Sequence, residues 1–304
     1  MKLLSFVVPS YNSEKYLNKC VDSLLKGGED VEIIIVNDGS KDNTIKIARE
    51  YEEKYPSIIK VVDKENGGHG SGINSGLEVA TGLYFKCVDS DDWVDEDALK
   101  EVIKTIKEHL KENKLPDLYY TNFVFERVDE NTQKRSNIKK NFPLGKFFTW
   151  KDIKPLKPSE YILMHMMIYK LDILKKCHLH LLEHTFYVDN LFVYQPLKYV
   201  ESMYYIDVDF YRYYVGRSDQ SVTFKNMDKN YKDQLLLANN QTQINMHDTF
   251  SNIKLSLNEA ENVTNEQLNN LVIQLECLMN NVVELIDNSD YLLNLNEIID
   301  INAI

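Results

Sequence analysis

The stretch Leu83–Val94, LYFKCVDSDDWV, decides the reading of this chain. Its first half, with Tyr84, Phe85, Cys87 and Val88, is an apolar run of strand length. The run stops at Asp89-Ser90-Asp91-Asp92. Three carboxylates within four residues repel each other, so their place at the end of a buried strand calls for a cation. The i, i+2 spacing puts Asp89 and Asp91 on one side of an extended segment. Two hard oxygen donors presented together suit Mg²⁺ or Mn²⁺, which keep several waters and share their remaining positions with phosphates. A turn plus a helix N-cap explains the same residues, because the helical pattern Ala98, Leu99, Val102, Ile103, Ile106, Leu110 follows at once. A calcium loop of the EF-hand type fails: Trp93 holds the third ligand position and Val94 the place of the required Gly.

Working back towards the start, strands and helices alternate. Leu4 to Val8 reads as a strand, and Asn12 or Ser13 is placed to cap a helix with Tyr16, Leu17, Cys20, Val21, Leu24 and Leu25 on its apolar face. Val31 to Val36, VEIIIV, is a strand buried on both faces. Asp42 opens a helix that Pro56 stops, and Ile58 to Val62 is a third strand. This alternation with short links predicts a doubly wound, mostly parallel sheet, whose ligands bind at the carboxyl ends of the strands. Polar clusters stand at those ends: Ser10-Tyr11-Asn12, Asn37-Asp38-Gly39-Ser40 and Asp89-Ser90-Asp91. PSYN follows the first strand where a dehydrogenase carries GxGxxG, and no phosphate loop GxxxxGK[ST] is present. The run Gly67-Gly68-His69-Gly70-Ser71-Gly72 puts backbone N–H groups at a helix start, which favours an anion such as a pyrophosphate. A plain turn accounts for it too, with His69 as a hydrogen bonder at the helix start.

Four motifs in order, VVPSYN, VNDGSKDNT, ENGGHGSGINSGLEVATG and CVDSDDW, resemble the nucleotide-binding half of family 2 glycosyltransferases with the GT-A fold. The resemblance covers residues 1 to about 100. It implies that Pro9, Ser10, Tyr11 and Asp38 hold the base and ribose of a nucleotide sugar, usually UDP, and that Asn66, Gly67 and Gly68 flank the same nucleotide. Asp89-Ser90-Asp91 would be the DXD motif, with Asp91 the main ligand of Mn²⁺ or Mg²⁺, and Asp89 on the ribose or metal side. Such a metal would neutralise charge on the departing diphosphate.

Size and composition narrow the setting. The chain has 304 residues, 43% hydrophobic and 27% charged, with a net charge of -12 that argues against a nucleic-acid partner. No apolar run approaches the ~20 residues a bilayer span needs. Pro9 and Asn12 interrupt the N-terminal apolar run, so it reads as a strand rather than a signal peptide. Cys20, Cys87, Cys177 and Cys277 show no zinc spacing and read as reduced thiols. These features predict a cytoplasmic protein. The inner face of the plasma membrane, with peripheral association, is the site a lipid-linked acceptor would imply.

The second half is aromatic. Asp117 to Val128 reads as a strand, followed by a polar stretch from Asn131 to Lys140 that reads as a hairpin tip or a mobile loop. Ser159 would cap a short apolar helix or strand interrupted by His165, a core residue or a functional one. In His184-Thr-Phe-Tyr-Val-Asp189-Asn190, Asp189 lies between bulky apolar residues. Desolvation there would raise its pKa towards that of a general base, although an N-cap is an equal account. The resemblance implies an acidic pair at this place, with the Asp as catalytic base of an inverting transfer; Val188 stands where the first Glu is usual. Val200 to Val215 reads as two short aromatic strands. Arg217, in a polar loop, is a candidate for the donor diphosphate, or a surface residue.

The tail beyond residue 226 is polar and glycine-free, with a capping box at Thr264 and Gln267 and leucines at 3-4 spacing. It would pack on the catalytic domain or pair with a second copy, giving a homodimer through the C-terminal helices. The expected fold is α/β of GT-A type (Rossmann-like, with a mostly parallel central sheet flanked by helices) with a C-terminal helical extension. The GT-A domain would span 1–225, divided into a nucleotide-sugar half, 1–110, and an acceptor half, 111–225; the extension is 226–304. The expected activity is a metal-dependent inverting hexosyl- or N-acetylhexosaminyltransferase. It would take a UDP-sugar donor and a hydroxyl of a glycan or lipid-linked acceptor, in synthesis of surface polysaccharide or cell-wall polymer. A sugar-phosphate nucleotidylyltransferase would need a basic glycine-rich loop where PSYN stands. A non-catalytic nucleotide-sugar binder of the same fold is the alternative.

Overall fold

The computed structural model describes residues 2–136, 138–156 and 162–216, all within one compact unit, Met1–Asn230. Ser159, Arg217, Cys277 and the whole expected helical extension lie outside the described residues.

The elements follow in chain order. β1 (Leu4–Ser10) and α1 (Leu17–Leu24) are followed by β2 (Val31–Asp38), α2 (Thr44–Lys54), β3 (Ile59–Lys64) and α3 (His69–Val79). Next come β4 (Tyr84–Cys87), β5 (Trp93–Val94), α4 (Glu96–Lys111), β6 (Leu118–Arg127), β7 (Thr132–Arg135) and β8 (Phe147–Phe148). β9 (Met167–Lys170), α5 (Leu171–Lys176), α6 (Asp189–Tyr194) and β10 (Met203–Tyr214) complete the series. One sheet runs β3-β2-β1-β4-β9-β6-β10-β5, with β7 on β6 and β8 on β10. β1, β2, β3 and β4 are mutually parallel, β9 is antiparallel to β4 and to β6, and β6 and β10 are parallel to each other. The six long or central strands therefore point one way, as expected for GT-A, and the short β5, β7, β8 and β9 are reversed.

Burial explains the parallel half. Every residue of β1 is buried, and β2 is buried from Ile33 onward, as strands covered on both faces must be. α3 lies close on β1: a Cβ on Gly76 would sit 2.3 Å from Val7 Cγ1. The register levels the strand ends, pairing Ser10 with Asn37 and Asn37 with Asp63. The polar residues that follow all leave the sheet at one edge.

The sequence reading needs three corrections. α1 starts from Tyr16 without a side-chain cap, because Asn12 and Ser13 are used elsewhere. Asn12 is left-handed (φ 50°) and accepts from the Lys41 N–H (2.8 Å). The aromatic stretch expected as two strands is one 12-residue strand, β10, whose register on β6 shifts between Tyr205 and Tyr211. Asp89 to Asp92 is a turn, not an extended segment: the Asp92 N–H donates to the Asp89 carbonyl at 2.9 Å. No helix among the described residues is long and apolar enough to cross a membrane.

Candidate functional site

The cleft at the strand ends holds about 720 Å³. Pro9 to Ser13 and Asp38 line it from β1 and β2. Asn66, Gly68 and His69 reach it from the entry to α3, and Asp89 to Asp91 from the turn after β4. Met164, His165, His184 to Asp189 and Tyr213 form the facing wall. The cleft thus gathers Pro9, Ser10, Tyr11, Asp38, Asn66, Gly68, Asp89, Ser90, Asp91 and Asp189. Gly67 stands just behind, and Arg217 is outside the described residues.

Asp38 is buried and accepts four hydrogen bonds from side chains and backbone: Lys64 Nζ (2.9 Å), Asn66 Nδ2 (3.0 Å), Gly67 N (2.9 Å) and Gly68 N (2.8 Å). This corrects the anion reading of the glycine run. The N–H groups of Gly67 and Gly68 are spent on the Asp38 carboxylate, so these two hold the protein's own anion rather than a bound one. Gly68 is required twice over: its φ is 84°, and a Cβ would lie 3.0 Å from the His184 nitrogen. On the neighbouring strand end, Ser13 and Ser90 share a 2.7 Å hydrogen bond that ties the turn after β1 to the acidic turn.

The three carboxylates of the opening stretch part company. Asp92 turns inward and is buried. It accepts from Tyr211 Oη (2.6 Å) and from the Tyr214 N–H (2.8 Å), so no cation is needed to hold it. The Tyr211 oxygen also accepts from the Asp89 N–H at 3.2 Å, which locks the turn to β10. Asp89 and Asp91 face the cleft. The Asp89 Oδ1 atom is buried without a hydrogen-bond partner among the described residues, with His69 Nε2 at 3.7 Å. Burial first, and then the Asp91 and Asp189 charges, push Asp89 up to about 6, against the opposing influence of His69. An orphaned carboxylate oxygen facing a cleft beside a second carboxylate is a hard-oxygen donor set that a divalent cation fits. His69, Cys87 and Asp89 also bring one donor atom each within 4.8 Å, as do Asp89, Asp92 and His165. The second group is spoiled by the two hydrogen bonds already on Asp92.

Behind the turn, Lys86 is fully buried, and its Nζ donates to the carbonyls of Met164 (2.9 Å) and His165 (2.7 Å). Desolvation lowers it to about 7. It fastens the facing wall to β4. His165 is buried, its ring stacked on Tyr211 at 4.5 Å, with Nδ1 unpartnered among the described residues. Asp189 is the first residue of α6 and not its cap, which is Val188. Burial raises the Asp189 carboxyl above the ordinary value, against the pull of His69 and of the Asp189 and Asn190 N–H groups.

Reading the sequence singles out the run from His184 to Asn190 for Asp189 alone, takes Tyr211 and Tyr213 as core or a stacking platform, and does not foresee the cleft positions of His184 and Tyr187 or the Tyr211–Asp92 support. Nothing local marks them. His184 and Tyr187 take left-handed φ of 49° and 63° without the Gly or Asn that would announce it.

The family model described as glycosyl transferase family 2 matches residues 5–176, more than half of the chain. The chain belongs to glycosyl transferase family 2. Among family relatives, it is 39% identical over 111 residues to the minor teichoic acid biosynthesis protein GgaB of Bacillus subtilis (strain 168), covering 36% of this chain and 12% of GgaB. It is 28% identical over 247 residues to the uncharacterized glycosyltransferase MG025 homolog of Mycoplasma pneumoniae, 75% of this chain and 73% of that protein. The match to the uncharacterized glycosyltransferase EpsJ of B. subtilis, at 33% identity, spans 53% of this chain and 45% of EpsJ. The chain therefore spans less than half the length of GgaB and EpsJ. The GT-A fold is shared with S. aureus TarS 1-349. Its complex with UDP-GlcNAc superposes with a TM-score of 0.58 at 24% identity, over 90% of this chain and 71% of that one.

Proposed function

We propose that this family 2 member is a metal-dependent, inverting glycosyltransferase. It passes a hexosyl or N-acetylhexosaminyl group from a UDP-sugar to a hydroxyl of a glycan or lipid-linked acceptor in surface-polymer synthesis. The observation that carries the reading is the meeting of Asp38, Asp89, Asp91 and Asp189 in one cleft at the strand ends. Relatives named for teichoic acid and poly(ribitol-phosphate) glycosylation, and the UDP-GlcNAc complex of TarS, support the donor and pathway class.

Asp89 and Asp91, as the DXD carboxylates, would hold Mn²⁺ or Mg²⁺; a mannosyltransferase of the same fold is described with Mn²⁺. Bound there, the ion supplies Lewis-acid neutralisation of the leaving diphosphate. The chain's own residues do the rest. Pro9, Ser10, Tyr11 and Asp38, fixed by its four donors, receive the nucleoside, with Asn66 and Ser90 beside it. Asp189 takes the proton of the acceptor hydroxyl at a carboxylate oxygen while the acceptor oxygen attacks the anomeric carbon from the face opposite the nucleotide. Its raised pKa strengthens it as a base. Arg217 remains a candidate partner of the diphosphate. Cytoplasmic placement completes the reading, with the C-terminal residues either packing on the catalytic domain or pairing with a second copy.

The test is release of UDP from a panel of UDP-sugars with methyl glycosides as acceptors, with Mn²⁺ or with EDTA, and NMR of the product anomer. Metal-dependent release with an inverted anomer is expected. Release insensitive to EDTA, or a retained anomer, overturns the mechanism. Tight donor binding with no transfer would instead favour a non-catalytic nucleotide-sugar binder.

A further inference from the structure

The wall that leads into Asp189 is built unlike the floor of the cleft. His184, Thr185, Phe186, Tyr187 and Val188 all line the cavity. Two of these five, His184 and Tyr187, hold left-handed backbone conformations (φ 49° and 63°) that side chains other than Gly and Asn seldom take. Such strain persists where the surroundings impose it, and it concentrates at ligand clamps. The anchor here is the 2.6 Å bond from the His184 N–H to the Gly67 carbonyl. The strain has two products. The Phe186 ring is 42% exposed, one of few large apolar side chains so presented, and it faces the cleft. The Tyr187 hydroxyl, on the neighbouring ring (centroids 6.3 Å apart), is buried with no hydrogen-bond partner among the described residues. A buried hydroxyl without a partner is costly, and a bound hydroxyl-bearing molecule would relieve it.

We propose that Phe186 and Tyr187 form the acceptor subsite and that its occupant is a neutral sugar ring rather than a polyol-phosphate chain. The inference rests on the transferase reading above. An exposed aromatic face takes the C–H face of a pyranose, and the adjacent hydroxyl takes one of its oxygens. Both stand two or three residues before Asp189, which must touch the reacting hydroxyl. Charge favours the neutral ring: the one cation that Asp89 and Asp91 would hold is shared with the donor diphosphate, so a second polyanion brought against Asp189 in the same cavity meets like charge that this ion no longer offsets.

The experiment is saturation-transfer NMR on the full chain with UDP and Mn²⁺. The probes are the methyl β-glycosides of glucose, galactose and N-acetylglucosamine, with ribitol-phosphate oligomers as the contrasting ligand. At least one glycoside should bind, with transfer strongest to the protons of one ring face. Phe186→Ala should weaken it by roughly fivefold to tenfold, Phe186→Trp should restore it, and Tyr187→Phe should weaken it less. Binding of UDP, measured on the same samples, should be unmoved by these substitutions. Preferred binding of the ribitol-phosphate oligomers, glycoside binding indifferent to Phe186→Ala, or no glycoside binding overturns the proposal. Loss of the donor reading shows separately, as absence of UDP binding in the unsubstituted chain.

Discussion

The floor and the facing wall of the cleft differ in how far their polar groups are satisfied. On the floor, Asp38 has four donors, Asn37 Nδ2 donates to Asp63 (2.7 Å) while Asn37 Oδ1 alone is left without a partner among the described residues, and Ser13 is bonded to Ser90. On the wall, His165 Nδ1 and Tyr187 Oη are buried without partners among the described residues, and His184 and Tyr187 are left-handed. Asp89 stands at the junction with one oxygen unpaired. The floor is the more nearly satisfied of the two; the wall and the junction leave more polar groups for whatever enters. A preorganised floor costs nothing at the moment of binding, whereas unfinished groups contribute their interactions only when substrate arrives.

The strongest way to break this contrast is at Asp189. Asp189→Asn should lower kcat by about 10² to 10⁴ while UDP-sugar affinity stays unchanged. In the unsubstituted protein, kcat should fall as pH falls through the raised Asp189 pKa, because the base must be ionised. Stopped assays across pH 5 to 8 read both effects, and unchanged turnover would remove Asp189 from the chemistry. On the floor, Asp38→Ala leaves the Gly67 and Gly68 N–H groups unpaired and takes one partner each from Lys64 and Asn66, which keep the carbonyls of Glu65 and residue 38. It should destabilise the fold by roughly 3 kcal/mol and abolish nucleotide binding, as read by urea unfolding and calorimetry.

Tyr211→Phe sharpens the comparison: it removes one of the two hydrogen bonds on Asp92 and the acceptor of the Asp89 N–H, in the support behind the acidic turn. A loss of about 1–3 kcal/mol is expected in urea unfolding. The smallest effect has the opposite sign. Asp89 titrates near 6 in the fold, above an ordinary carboxyl, so stability present at low pH is lost as pH rises from about 4 to 6. Asp89→Asn should therefore stabilise the metal-free protein by about 1–2 kcal/mol at pH 8, with the gain gone below pH 4. Thermal unfolding at the two pH values checks it.

The same contrast decides what could be read in the sequence. The floor is local: VEIIIV is a buried strand by composition, and its polar ending must fall at the sheet edge. So Ser10, Asp38, Asp89 and Asp91 were legible as neighbours. The wall depends on long-range geometry. Lys86 looks like an interruption of an apolar strand, and only the fold shows it bonded to carbonyls 78 and 79 residues away. Asp92 looked like a third cleft carboxylate until the turn carried it to Tyr211, 119 residues later. The glycine run was read for its N–H groups, but not for the buried carboxylate that consumes them.

The most direct measurement is a calorimetric titration of the purified protein with UDP-sugars, with and without Mn²⁺, repeated in Asp91→Ala. A UDP-sugar that binds only with the metal, and not in Asp91→Ala, is the predicted result. Affinity for no UDP-sugar, or the same affinity in EDTA and in Asp91→Ala, would contradict the assignment of this cleft.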